Sequence, residues 1–215
     1  MNQYLIGTGY HAGSDWNREF YQIWEVNTQK YTDNFHVVST IERAGSENEI
    51  LLGYNLGHIG TMLENKTPGL SGWSASMVLL AMLAYNKGVD FIYKESDCLW
   101  FGDVPGQMYR EIGERQVIFG KKMTSPPYMS CAQSTFLVKR AFIPIFVGLF
   151  LSLPDDIEML TENKFTVLME FNPHLFGEFS FGVDRERPMP FDAPVWYAQQ
   201  ITKDELEEIK SRNLL

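Results

Sequence analysis

The sequence predicts an α/β fold, a mixed or parallel sheet covered by helices on both faces. Two observations predict it. From Ser71 to Gly102 the chain reads SGWSASMVLLAMLAYNKGVDFIYKESDCLWFG, a long stretch of helical period followed at once by a short apolar run. Along the rest of the chain, short apolar runs alternate with helix-spaced segments. In the central stretch Ser71 suits a helix cap, and Trp73, Met77, Leu80, Ala81 and Ala84 recur at helical spacing. Lys87 suits the last turn and Gly88 the left-handed residue beyond it. Val89 to Lys94 is apolar except for Asp90 and Lys94 at its margins, as expected of a strand buried on both faces.

The other elements follow in order. Tyr4 to Ile6 reads as a first strand ending in a glycine turn, Gly7-Thr8-Gly9-Tyr10-His11. A helix capped by Asp15 runs to about Tyr31, with Phe20, Ile23, Trp24 and Asn27 along one side. Phe35 to Ile41 and Ile50 to Tyr54 read as strands. Asp103 and Pro105 open a short helix. Gln116 to Phe119 and Ser134 to Val138 are two more strands, with Met123 to Cys131 a loop between them. Ala141 to Leu153 reads as a buried helix. Leu153-Pro154-Asp155-Asp156 opens another, and Thr202 with Glu205 forms a capping-box pattern for the last. No repeat or linker interrupts the chain, and residues 1–215 are expected to form one domain.

Composition excludes some functions. A net charge of −9 argues against DNA or RNA as a partner, because such binding rests on basic patches that neutralise phosphate. The two cysteines, Cys98 and Cys131, match neither a zinc site nor a disulfide framework, so reduced thiols and a cytoplasmic location are expected. MNQYLIGTGYH lacks the basic and long apolar regions of a signal peptide. Ala141 to Leu153, broken by Pro144 and Gly148, is too short to cross a bilayer, so no transmembrane segment is expected.

The chemistry concentrates after the central strand. Glu95 and Asp97, two apart in an extended segment, face one way and repel each other unless a cation or a shared proton lies between them. The edge beyond the carboxyl ends of the strands is where open α/β sheets bind ligands. Oxygen ligands there suit Mg2+ or Mn2+. Two solvated acids in a loop are the plainer alternative.

Four segments carry a resemblance: YLIGTGYH, FIYKESDCLWFGD, QSTFLVKRAFIPIFV and LPDDIEMLTENKF. In this order they resemble the GT-A-fold nucleotide-diphospho-sugar glycosyltransferases, with Glu95-Ser96-Asp97 standing where that family has Asp-x-Asp. The resemblance implies a GT-A-like, Rossmann-like mixed sheet flanked by helices. It further implies a metal-dependent transferase that takes a UDP- or GDP-sugar donor and a glycan or other hydroxyl acceptor. On this basis Thr8, Gly9, Tyr10 and His11, with Trp73 and Glu95, would contact the nucleotide. Asp97, Glu95 and His174 would hold Mn2+ or Mg2+. Arg185 and Arg187 would neutralise the leaving diphosphate, and Asp156, Asp155 or Glu158 would face the acceptor. A nucleotidyltransferase shares the nucleotide-binding half, but the chain has no Lys or Arg between Met1 and Arg18, where those enzymes carry a basic glycine-rich loop. A glycoside hydrolase would need carboxylates on both sides of a sugar ring, which Glu95 and Asp97 lie too near in sequence to supply, though Glu95 with Glu158 could. A non-catalytic nucleotide- or glycan-binding module of the same fold stays open.

Overall fold

A computed structural model of the chain describes residues 3–10, 14–39, 43–53, 72–122, 131–153, 161–183 and 185–215. Among these residues seven strands form one sheet in the order β3-β2-β1-β4-β7-β6-β8. They are β1 (Tyr4–Tyr10), β2 (Phe35–Ser39), β3 (Glu49–Leu51), β4 (Asp90–Lys94), β6 (Val117–Lys122), β7 (Cys131–Val138) and β8 (Phe176–Glu178). Only β7 runs against the others; β1 pairs in parallel with both β2 and β4. A separate antiparallel ribbon joins β5 (Cys98–Phe101) to β9 (Trp196–Gln199).

Side chains of the central strands alternate between two cores, as the pleat requires. Ile6, Val37 and Ile92 face one core, with α1 (Asp15–Gln29), α3 (Val104–Ile112), α6 (Lys203–Ser211) and the ribbon. Leu5, Val38, Phe91 and Tyr93 face the other, with α2 (Gly72–Lys87), α4 (Ile143–Ser152) and α5 (Thr161–Phe171). The chain thus goes from β1 to β2 over one face and from β3 to β4 over the other. The two crossovers diverge at the boundary between β1 and β4.

Several expectations hold at residue level. Gly88 has φ +77° and ends α2, with its amide bonded to Tyr85 O and that of Val89 to Ala84 O, the paired bonds of a Schellman cap. Asp103 caps α3 by accepting from Gly106 N at 2.9 Å. Thr202 and Glu205 form the full capping box of α6.

Other expectations are corrected. β1 does not stop at Ile6: Gly7 to Tyr10 continue the strand and pair with β2 as far as Ser39. The glycines serve packing, not a turn; a Cβ on Gly9 would lie 3.1 Å from the Ser76 side chain of α2. The cap of α1 is Ser14, whose hydroxyl accepts from Asn17 N at 3.2 Å, and Asp15 is the first helical residue. Glu95 to Asp97 is a turn closed by Cys98 N on Glu95 O at 2.9 Å, not an extended segment. Neither strand of the β5–β9 ribbon was expected.

Candidate functional site

At the carboxyl ends of β1 and β4, where the crossovers diverge, lies a cavity of about 270 Å³. Such a divergence leaves a crevice that no crossing helix covers. Tyr10, the last residue of β1, lines it together with Trp16, Asn17 and Phe20 from the start of α1. Ser96 and Asp97 of the β4–β5 turn form a second wall. Gln200, Ile201 and Thr202, between β9 and α6, form the third.

The first wall is aromatic. Trp16 and Phe20 meet edge to face at 5.6 Å, and the Lys203 ammonium sits 5.2 Å above the Trp16 ring. Tyr10 packs edge-on against Tyr21 at 4.8 Å and is only 5% exposed. It is a core residue that turns one side to the cavity, not an open stacking platform.

The acidic wall is held from three sides. Glu95 N bonds Ser134 O at 2.8 Å on β7, and Gln200 N bonds Asp97 O at 3.2 Å. Gln199 Nε2 donates to Glu95 Oε2 at 2.6 Å. Both acids are half-buried. Gln200 adopts φ +54°, a left-handed conformation uncommon for a residue with a side chain, as the strand swings into α6. Beneath the turn the Lys94 ammonium is fully buried. It donates to Asn27 Oδ1 at 2.7 Å and Thr28 Oγ1 at 2.8 Å, and lies 5.1 Å from the Trp24 and Trp100 rings. Burial brings its pKa down to about 7.

The expected site residues scatter accordingly. Tyr10 and Asp97 come together at the crevice; Glu95, in the same turn as Asp97, does not line it and bonds Gln199 instead. Thr8 is fully buried within β1 and Gly9 abuts α2, so neither side of the strand there meets the cavity. Trp73 packs among Tyr93, Phe136, Phe150 and Phe165 on the other face of the sheet, as core filling. His174 is exposed in the turn before β8, which runs parallel to β6, so it sits at the opposite edge of the sheet from Asp97 and cannot share a metal with it. Arg187 is engaged with Glu205 and with the carbonyls of Gln199 and Gln200, which makes it a clamp on the β9–α6 junction. Arg185 donates to Gln199 Oε1 at 3.2 Å, one side chain away from Glu95. His11, Asp155, Asp156 and Glu158 lie outside the described residues.

Among the described residues no group of three or more His, Cys, Asp or Glu side chains is arranged around one point. Asp97 on the cavity wall suits Mg2+, which is held by one or two carboxylates with waters and phosphate oxygens as its remaining ligands. Sequence reasoning missed Trp16, Asn17, Phe20, Gln199 and Gln200. The one local signal for the last two was their place directly before the Thr202 capping box.

No protein-family model matches the chain, and no curated protein does. Solved structures do. A glycosyltransferase involved in the glycosylation of the major capsid of PBCV-1 aligns over 100% of both chains, with a TM-score of 0.59 and 10% identity. The fold is that of the GT-A glycosyltransferases. The mannosyltransferase PcManGT from Pyrobaculum calidifontis, in complex with GDP-Man and Mn2+, covers 98% of this chain and 60% of its own at TM-score 0.52 and 9% identity. The galactosyltransferase LgtC, in complex with donor and acceptor sugar analogs, covers 93% and 87% at TM-score 0.50 and 10% identity. In open α/β sheets a crevice at such a divergence is where ligands bind, and here Tyr10 and Asp97 both line it.

Proposed function

We propose that the protein is a glycosyltransferase that moves a sugar from a UDP- or GDP-sugar to a hydroxyl of a glycan or other acceptor, with Mn2+ or Mg2+ on the donor diphosphate. The observation that carries this reading is one cavity, at the divergence of the crossovers of a GT-A fold, with an aromatic wall facing a carboxylate wall. The aromatic wall suits a nucleobase, since every base offers a π-face to a ring and Trp16 is only half-buried there. Asn17 and Thr202 offer hydrogen-bonding groups for a ribose.

Asp97 would ligate the metal, with Glu95 beside it. When bound, the cation neutralises charge that develops on the leaving nucleoside diphosphate. In a chain of net charge −9 it also lets that anion approach an acidic wall. Asp155, Asp156 and Glu158 carry the acceptor role on the sequence pattern alone. A cytoplasmic location belongs to the same proposal; no helix among the described residues is long and apolar enough to cross a membrane.

The test is release of nucleoside diphosphate from UDP- and GDP-sugars, with Mn2+ and with EDTA, beside calorimetric titration of the free nucleotides. Release is expected only with the metal. Asp97→Asn keeps shape and removes charge, so melting should hold while metal-assisted nucleotide binding weakens at least about tenfold. Equal nucleotide affinity in Mn2+ and in EDTA would refute the metal role. Tight binding with no turnover across donors and acceptors would make the chain a binding module.

A further inference from the structure

We infer that Gln199 positions the Glu95 carboxylate of the proposed donor site, its amide oriented by Arg185 at one end and Glu95 at the other. The inference rests on the transferase reading above and adds to it a residue and a reason.

Gln199 ends β9 opposite Cys98, the first residue after the acidic turn, and its side chain is buried at 2% exposure. Its two amide ends have different partners: Nε2 faces Glu95 Oε2 at 2.6 Å and Oε1 faces Arg185 Nε at 3.2 Å. A guanidinium has donors only, so the amide end turned to Arg185 must be the oxygen. The NH2 end is then committed to Glu95. The inverted amide would set oxygen against carboxylate and N–H against guanidinium, two repulsive contacts in a buried place. Arg185 and Glu95 therefore select the same one of two amide orientations, the one able to hold the acid.

The backbone reinforces this. Arg187 Nη2 donates to Gln199 O at 3.1 Å, and Gln200 N donates to Asp97 O at 3.2 Å. The end of β9 thus grips the turn at both acids, by side chain at Glu95 and by main chain at Asp97.

The chemistry of the gripping group matters. An amide holds a carboxylate by donating a hydrogen bond and adds no net charge of its own. Fixing the carboxylate beforehand also removes the cost of ordering it when the ligand binds.

The test is a double-mutant cycle on the full chain, read by calorimetric titration with Mn2+ and UDP or GDP, and by melting temperature. Gln199→Ala should weaken Mn–nucleotide affinity about tenfold in the wild type and less than about twofold in a Glu95→Gln background, because the contact it removes is already gone. Gln199→Met keeps length without hydrogen bonding and gives the same reading where the alanine variant does not fold. Any loss of melting temperature should be alike in both backgrounds. If the wild type binds and Gln199→Ala or Gln199→Met binds as tightly, or loses the same factor in both backgrounds, Gln199 is not a positioning residue. If the wild type binds neither nucleotide, the donor-site reading falls, and this inference falls with it.

Discussion

Asn27 and Lys94 share a hydrogen bond, yet removing them should have opposite consequences. Asn27 on α1 works as a strand partner for the ribbon: its Nδ2 donates to Trp100 O at 2.9 Å and its Oδ1 accepts from Trp100 N at 3.0 Å. The same Oδ1 accepts from Lys94 Nζ at 2.7 Å. Asn27→Ala leaves three buried groups without this partner: the Trp100 amide, the Trp100 carbonyl and the Lys94 ammonium. At about 1–3 kcal/mol for each stranded group, the loss should be about 3–5 kcal/mol after partial relaxation. Lys94→Met strands nothing. Asn27 Oδ1 keeps the Trp100 amide, and Thr28 Oγ1 still donates to Trp24 O at 2.7 Å. The substitution takes away a buried cation whose described contacts are an amide, a hydroxyl and two indole rings, with no carboxylate among them. Its burial cost goes with it, so stability should stay within about 1 kcal/mol of wild type or rise. Urea unfolding at pH 7 measures both, provided the slope against denaturant is unchanged. A Lys94→Met variant less stable than Asn27→Ala would refute the reasoning, since the ammonium would then contribute more than its burial costs.

Two further outcomes are expected. Tyr10 is both core and cavity wall, so Tyr10→Ala should cost about 3–5 kcal/mol of stability, as large aromatic truncations do. Tyr10→Leu should keep most of that packing and stay close to wild type in stability, because Leu refills the apolar contact against Tyr21; a leucine variant as unstable as the alanine one in urea unfolding would show that the ring and not the volume carries the contact. The second outcome concerns Glu205, whose carboxyl is held below the usual range by the hydrogen bond from Arg187, with the Thr202 amide adding to it and burial opposing. A lowered folded pKa means its contribution is complete above the ordinary value near 4.3 and is lost as pH falls through the folded value. Glu205→Gln should therefore be less stable than wild type at pH 7, by about 1 kcal/mol, with the gap closing below pH 4; a gap that widens on acidification would reverse the sign of the argument.

Much of the scaffold was legible because local signals and tertiary packing agree. The central helix announces itself through Met77, Leu80, Ala81 and Ala84, all fully buried, and stops at Gly88 with the expected left-handed cap. The capping box of α6 and the Asp103 cap of α3 are local chemistry, and both stand. Gly7 and Gly9 misled for a physical reason. A glycine admits either a turn or a close neighbour, and only the presence of α2 against β1 decides between them. The β5–β9 ribbon pairs residues about a hundred positions apart, and a four-residue apolar run such as WYAQ states nothing about its partner.

The site was legible only where chemistry is carried by charge. Glu95 and Asp97 stand out as an acid pair after a buried strand, and the fold sets Asp97 at the crevice and Glu95 against Gln199. The residues that give them a setting are an amide, two aromatic rings and a lysine, types that any core or surface uses. Arg185 and Arg187 show how the distinction works. In sequence they are two equivalent cations beside an irregular stretch. In the fold, Arg187 closes the β9–α6 junction against Glu205, while Arg185 bonds the Gln199 amide whose other end holds Glu95. Sequence spacing could not separate the two, because only the pairing of β9 with the strand after the acid pair brings Gln199 between Arg185 and Glu95.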